Sequence, residues 1–164
     1  MKSILTSFIF LLIISCASPK KNRDLVVINQ PAEFETQEAI WLIWPATNHK
    51  ESESVEKVTL SIIEALIDDI DIVVTCKNKE LLNKASETLK NRFGEQKRLK
   101  LLEIPSFEIW TRDMGPIFVE TNQKTFAIAD FNFNSWGYAD TLDVDTKTEE
   151  MYDVRVAKHF KLPV

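Results

Sequence analysis

Asp71-Ile72-Val73-Val74-Thr75-Cys76 is short, β-branched and flanked by polar residues, the composition of a buried strand. On its N-terminal side Val55, Val58, Ile62, Leu66 and Ile70 recur at steps of three and four residues, which defines one face of an amphipathic helix. On its C-terminal side Lys79 to Phe93 reads as a second helix, with Leu82, Ala85 and Leu89 inward and Gly94 as its stop. Further out, Ala39-Ile40-Trp41-Leu42-Ile43-Trp44 is an apolar run halted by Pro45, which fits a strand better than a helix of two turns. Leu99 to Ile104, ended by Pro105, matches it on the other side. Strands separated by helix-length spacers predict an α/β protein. Beyond Pro105 the rhythm changes: Ile109-Trp110, Pro116 to Val119 and Phe126 to Phe131 read as strands with little between them, and Glu149 to Phe160 as a last helix. The succession hints at units that recur imperfectly.

The 164 residues suffice for about one domain, and 45% hydrophobic with 27% charged residues is the balance of a globular protein. A net charge of -5 argues against a general nucleic-acid binder, which needs clustered Lys and Arg to neutralise phosphates. The basic runs Lys20-Lys21-Asn22-Arg23 and Lys97-Arg98-Leu99-Lys100 are too short to reverse it.

Residues 1–16 have the layout of a secretory signal peptide, with Lys2 before the apolar run Ile4 to Ile14 and then Ser15-Cys16. As a helix the run spans about 16 Å, against about 30 Å of hydrocarbon, too little for a permanent membrane span. Ile13-Ile14-Ser15-Cys16 resembles the bacterial lipobox, in which the Cys becomes the lipidated first residue of the mature protein; ordinary cleavage near Ser15 or Ala17 is the alternative. Residues 17–29 then read as a tether and 30–164 as the folded part. The expected location is a membrane-anchored, exported lipoprotein that touches the membrane only through its lipid. With Cys16 lipidated, Cys76 is the remaining thiol and no intramolecular disulfide can form.

The chemistry-bearing stretch is Trp110-Thr111-Arg112-Asp113-Met114-Gly115-Pro116. A guanidinium is planar, permanently charged and presents its N–H donors in a rigid fork, so its binding site needs carboxylates held in its plane. Asp113 is the candidate, because Gly115 permits close backbone approach or unusual dihedrals and Pro116 fixes the exit. Trp110 would supply an apolar wall and a cation–π surface. In an extended segment Trp110 and Asp113 face opposite sides, so they share a pocket only if the strand breaks near Arg112. A structural turn with a local hydrogen bond is the competing reading of an Arg-Asp pair beside Gly-Pro.

Two further blocks accompany it. Pro31-Ala32-Glu33-Phe34-Glu35-Thr36-Gln37-Glu38-Ala39-Ile40-Trp41-Leu42-Ile43-Trp44-Pro45 resembles the opening segment of the agmatine deiminase and bacterial (Porphyromonas-type) peptidylarginine deiminase family. Ile109 to Val119 is similar to that family's Trp-x-Arg-Asp-x-Gly-Pro signature, and Phe131-Asn132-Phe133-Asn134-Ser135-Trp136-Gly137 to its Phe-Asn-x-Trp-Gly block. The resemblance implies a fivefold pseudosymmetric α/β propeller, the pentein fold, with substrate at its centre. It also implies a guanidino group held between carboxylates and attacked by a Cys thiolate, loss of ammonia, and hydrolysis of the thiouronium intermediate with a His as acid and base; no metal or other cofactor is needed. Carried over, Asp113 matches the guanidino-binding carboxylate and Trp110 a pocket-lining position.

In the family the catalytic His and further carboxylates follow the Phe-Asn-x-Trp-Gly block, and the nucleophilic Cys comes later still. Here Cys76 lies far upstream, at the end of a strand read as buried, and is expected to be core; His49 and His159 match no catalytic context. The chain is therefore expected to be the opening part of a longer enzyme, inactive alone and exposing the apolar faces of Ala39 to Trp44 and Pro116 to Val119. Three functions follow: an agmatine deiminase-like hydrolase, with the arginine side chains of proteins as its alternative substrate; a hydrolase of another guanidino compound; and a non-catalytic lipid-anchored module that binds cations or a partner.

Overall fold

The computed structural model describes residues 24–46, 52–137 and 144–164. Cys16, the export segment, most of the tether and His49 lie outside the described residues. In chain order the elements are β1 (Val27–Asn29), β2 (Ala39–Ile43), α1 (Ser52–Leu66), β3 (Asp71–Cys76), α2 (Lys79–Phe93), β4 (Leu99–Glu103), α3 (Thr111–Met114), β5 (Ile117–Thr121), β6 (Phe126–Ala129), a 3₁₀ turn at Ser135–Gly137, α4 (Val144–Glu150) and α5 (Tyr152–Phe160).

The strand at 71–76 is the middle of a parallel three-stranded sheet, β2-β3-β4, in which Trp41 pairs with Val73 and Val74 with Leu101. A parallel sheet covered on both faces needs apolar residues at successive positions, and Ile72 through Cys76 are all buried. Ile72, Val74 and Cys76 pack in one cluster with Ile63 of α1, Ile67 just beyond it, and Leu81, Ala85 and Leu89 of α2. Ile43 and Ile104 belong to a second cluster, with Met114, Ile128, Tyr152, Val156 and Ala157. The Thr75 hydroxyl meets the Tyr152 hydroxyl at 2.8 Å, so the alternate face of β3 is turned to α5.

Local signals explain the ends of α2. Asn78 caps it by accepting from the Leu81 N–H at 2.9 Å, and Gly94 leaves it at φ 71°, where a side chain would be strained. The buried stripe of α1 differs from expectation: Leu60 and Ile63, followed by Ile67, are buried, whereas Val58 and Ile62 are exposed and the helix stops before Ile70.

The second sheet is antiparallel, ordered β1-β5-β6, with Phe118 opposite Ile128. Val27–Asn29, read as the last of the tether, is its edge strand. Ile109-Trp110, read as a strand, instead leads into a helical turn, and the last helix is two, α4 and α5, divided at Met151. The faces expected to be bare are half-buried in β2 and β5; exposed apolar side chains gather on Leu25 to Ile28 and at Phe34, Phe126 and Phe160. The α/β class holds, and the described residues form two open sheets rather than a closed ring.

Candidate functional site

The chain leaves β4 through Pro105 and reaches Trp110, where φ -82° and ψ 66° turn it into the single helical turn α3. The Thr111 hydroxyl donates to the Trp41 carbonyl at 3.3 Å and Met114 is buried in the second cluster, so the turn is pinned at both ends. Gly115 closes it by donating to the Thr111 carbonyl at 2.8 Å. A Cβ at Gly115 would lie 2.0 Å from that oxygen while φ is an ordinary -76°. Close approach, not a special dihedral, is therefore what requires glycine here.

This turn directs Asp113 into a cavity of about 360 Å³ whose wall includes Ile117, Phe131, Phe133, Trp136 and Asp153. The Trp136 indole N–H donates to Asp113 Oδ1 at 3.1 Å, and Phe133 meets the same indole edge-on at 5.1 Å between centroids. The indole is placed by unusual backbone: Asn132, Ser135 and Trp136 have φ of 50°, 53° and 57°. Left-handed conformations of non-glycine residues are costly, and they persist where the surroundings enforce them. Local acceptors do so here. Asp130 Oδ1 takes the Asn132 N–H at 2.8 Å, and Asn134 Oδ1 takes the Gly137 N–H at 3.0 Å.

Asp153, on the first turn of α5, is buried on the same wall. Burial, reinforced by the nearby charge of Asp130, pushes its carboxyl up to about 6, against the hydrogen bond it accepts from the Val154 N–H. The cavity thus offers one carboxylate with an oxygen held by an indole and a second that ionises more readily once a cation arrives. Aromatic and aliphatic walls between such carboxylates suit a flat cation.

The sequence-predicted residues separate. Asp113 lines the cavity; Trp110 is half exposed and does not. Arg112 points away, to Glu33 Oε1 at 2.7 Å. Cys76 is fully buried among aliphatic side chains, and burial pushes its thiol up to about 12, so it stays protonated and lines neither cavity described here. His159 is exposed on α5, edge-on to Phe160. Trp136 and Asp153 are the site residues that sequence reasoning missed. Trp136 stood within a quoted block without a role, and Asp153 shares a three- and four-residue spacing with Val156 and Ala157, a stripe on which an Asp is out of place. Among the described residues no group of three His, Cys, Asp or Glu could hold a metal ion. A larger cavity, about 700 Å³, lies between residues 30–39 and the antiparallel sheet, with Glu33, Glu38, Glu120, Trp41, Phe126 and Phe160 on its wall.

The mixed α/β fold is similar to part of the agmatine deiminase structures. These superpose on it: agmatine deiminase of Enterococcus faecalis with a TM-score of 0.65 at 21% identity, covering 82% of this chain and 36% of that one. A C. jejuni agmatine deiminase with substrate bound gives 0.63 at 17%, covering 87% and 40%. By sequence, the agmatine deiminase of Stutzerimonas stutzeri is 23% identical over 139 residues, 80% of this chain and 36% of that protein. That of Pseudomonas aeruginosa is 27% identical over 109 residues, 65% and 28%. The chain belongs to the Porphyromonas-type peptidyl-arginine deiminase family, whose model matches residues 29–163. It spans 28% to 40% of the length of these relatives.

Proposed function

We propose that this chain supplies the guanidinium-holding wall of a deiminase-type hydrolase whose substrate is agmatine, converted with water to N-carbamoylputrescine and ammonia. The observation that carries the reading is the Asp113–Trp136 pair. The indole occupies Asp113 Oδ1 and orients the carboxylate, while Oδ2, without a hydrogen-bond partner among the described residues, can accept from a planar cation in an aromatic-walled cavity. Asp113 is the substrate-holding residue in this account, and the two sheets are part of a fivefold propeller. Trp110, half exposed beside the turn, keeps a role only as an outer wall for the rest of the ligand.

Calorimetric titration with agmatine tests the reading. Wild type is expected to bind and Asp113→Ala to lose at least about tenfold in affinity, the scale of a charge-assisted hydrogen-bond pair. Equal affinities in the two would sink it. Affinity should also rise as pH is raised through about 6, because ionised Asp153 adds a negative charge to the cavity wall and protonated Asp153 does not. Since neither Cys76 nor His159 lies on the Asp113 cavity, this chain alone should release no ammonia from agmatine, and steady release would overturn that assignment.

The family model's description favours a second substrate, the arginine side chain of a protein, and an exported location would bring such substrates within reach. A short arginine peptide that binds more tightly than agmatine would favour it. We infer further that Cys16 carries a lipid anchor. Acyl labelling should mark wild type and spare Cys16→Ser, and equal labelling rejects the anchor. Binding of both ligands with no turnover in any longer form would leave the non-catalytic module.

A further inference from the structure

Glu149, near the end of α4, is 3% exposed and has no cationic partner among the described residues. Burying a carboxylate is costly unless donors surround it, and here the donors all come from one loop. Its Oε2 lies 2.8 Å from the Ser106 hydroxyl, and its Oε1 accepts from the Phe107 N–H at 2.6 Å and the Glu108 N–H at 3.3 Å. The same Ser106 hydroxyl lies 2.8 Å from the Glu108 carbonyl. A hydroxyl has one proton to give, so Ser106 shares it between the Glu149 carboxyl and the Glu108 carbonyl, and the two backbone N–H groups hold the other carboxyl oxygen. Beyond Glu108 only Ile109 and Trp110 separate this clamped loop from α3, and the Ile109 carbonyl accepts from the Thr111 N–H at 2.9 Å.

We propose that Glu149 is a positioning residue: by gripping the backbone of residues 106–108 it sets where α3 begins and hence where Asp113 points. Its importance for ligand binding rests on the reading of Asp113 given above; its effect on the place of Asp113 does not. A purely apolar residue at 149 would fill the space and leave two backbone N–H groups without acceptors.

The test uses the whole chain and two reporters. Proton exchange at the Phe107 and Glu108 amides reads the grip, and exchange at the Trp136 indole N–H reads whether Asp113 is in place, with Asp113→Ala as its control. Glu149→Ala is expected to speed exchange at all three sites by about tenfold or more, and to weaken agmatine binding by about the same factor. Glu149→Gln should restore most of both, because its carbonyl accepts from Phe107 and Glu108 while its N–H donates to Ser106 Oγ, whose own proton then goes to the Glu108 carbonyl. Should Glu149→Ala fail to fold, Ser106→Ala removes one hydrogen bond of the clamp and should show the same pattern, smaller. Faster exchange at Phe107 and Glu108 with the Trp136 indole unchanged overturns the proposal. Agmatine binding indifferent to Asp113→Ala would instead defeat the functional reading while the indole still reports on Glu149.

Discussion

The parallel sheet has two faces, and they bury different chemistry. Against α1 and α2 the buried cluster is aliphatic apart from Trp44 and Cys76, and its one ionisable group is held neutral. On the α3 and α5 side Thr75, Ser106, Tyr152, Glu149 and Asp153 are buried, and a loop with three left-handed non-glycine residues adjoins the face. The first arrangement stabilises by apolar burial alone. The second gives up part of that stability to hold carboxylates and an indole in fixed places, which is where a binding site is expected to tolerate such costs.

The largest expected effect tests the first face. Ile63 is fully buried against β3, and Ile63→Ala should cost about 2–5 kcal/mol in denaturant unfolding. The hydrogen bond of the Trp136 indole to Asp113 should survive in the folded fraction, read as unchanged indole exchange. If it is lost, the two faces are not separable.

Asp153→Asn should do the reverse on the second face. A carboxyl raised to about 6 from 3.8 binds its proton more tightly folded than unfolded, so it lends stability at low pH that disappears as pH rises through about 4 to 6. At pH 7 the ionised group costs on the order of 3 kcal/mol, and the Asn variant should recover part of it and flatten the pH dependence in that window. A slope as steep as wild type would remove Asp153 from the account. Glu149, also raised by burial, contributes slope of the same sign.

Gly115→Ala should cost about 1–3 kcal/mol, because its Cβ collides with backbone that cannot yield without opening α3. The informative reading is the Trp136 indole, whose exchange should quicken with the loss of the turn. A stable variant with a protected indole would show that α3 does not set Asp113.

The aliphatic face was legible in the sequence because apolar periodicity and β-branching report burial directly. Where reading slipped, the reason was degeneracy: α1 carries apolar residues on more than one stripe, so three- and four-residue spacing fitted Val55, Val58 and Ile62 as well as the buried Leu60 and Ile63. On the other face the signature located Asp113, but a single helical turn of four residues has no periodicity to detect, and Trp110 was placed as if in a strand. Glu149 left no signal and Asp153 only its place on the Val156 and Ala157 stripe, for a different reason. An acidic residue on an amphipathic helix ordinarily marks the solvated side, and only the loop at 106–108 and the wall around Asp113 make these two inward.

The smallest effect is expected at the residue beside Asp113 in the signature. Arg112 and Glu33 form an ion pair at 2.7 Å with side chains 83% and 78% exposed, so solvent screens most of their attraction. Arg112→Ala should change stability by less than about 1 kcal/mol. Its bond nevertheless joins the 31–38 segment to α3 on the side away from the Asp113 cavity, and the segment also walls the larger cavity. If the pair only decorates the surface, replacing Arg112 by Ala or Glu33 by Gln should have equally slight effects on agmatine affinity. A like loss of affinity on replacing either partner would show that the outer segment helps to fix the turn, and the division between the aliphatic face and the proposed binding face would have to include residues 31–38 on the latter side.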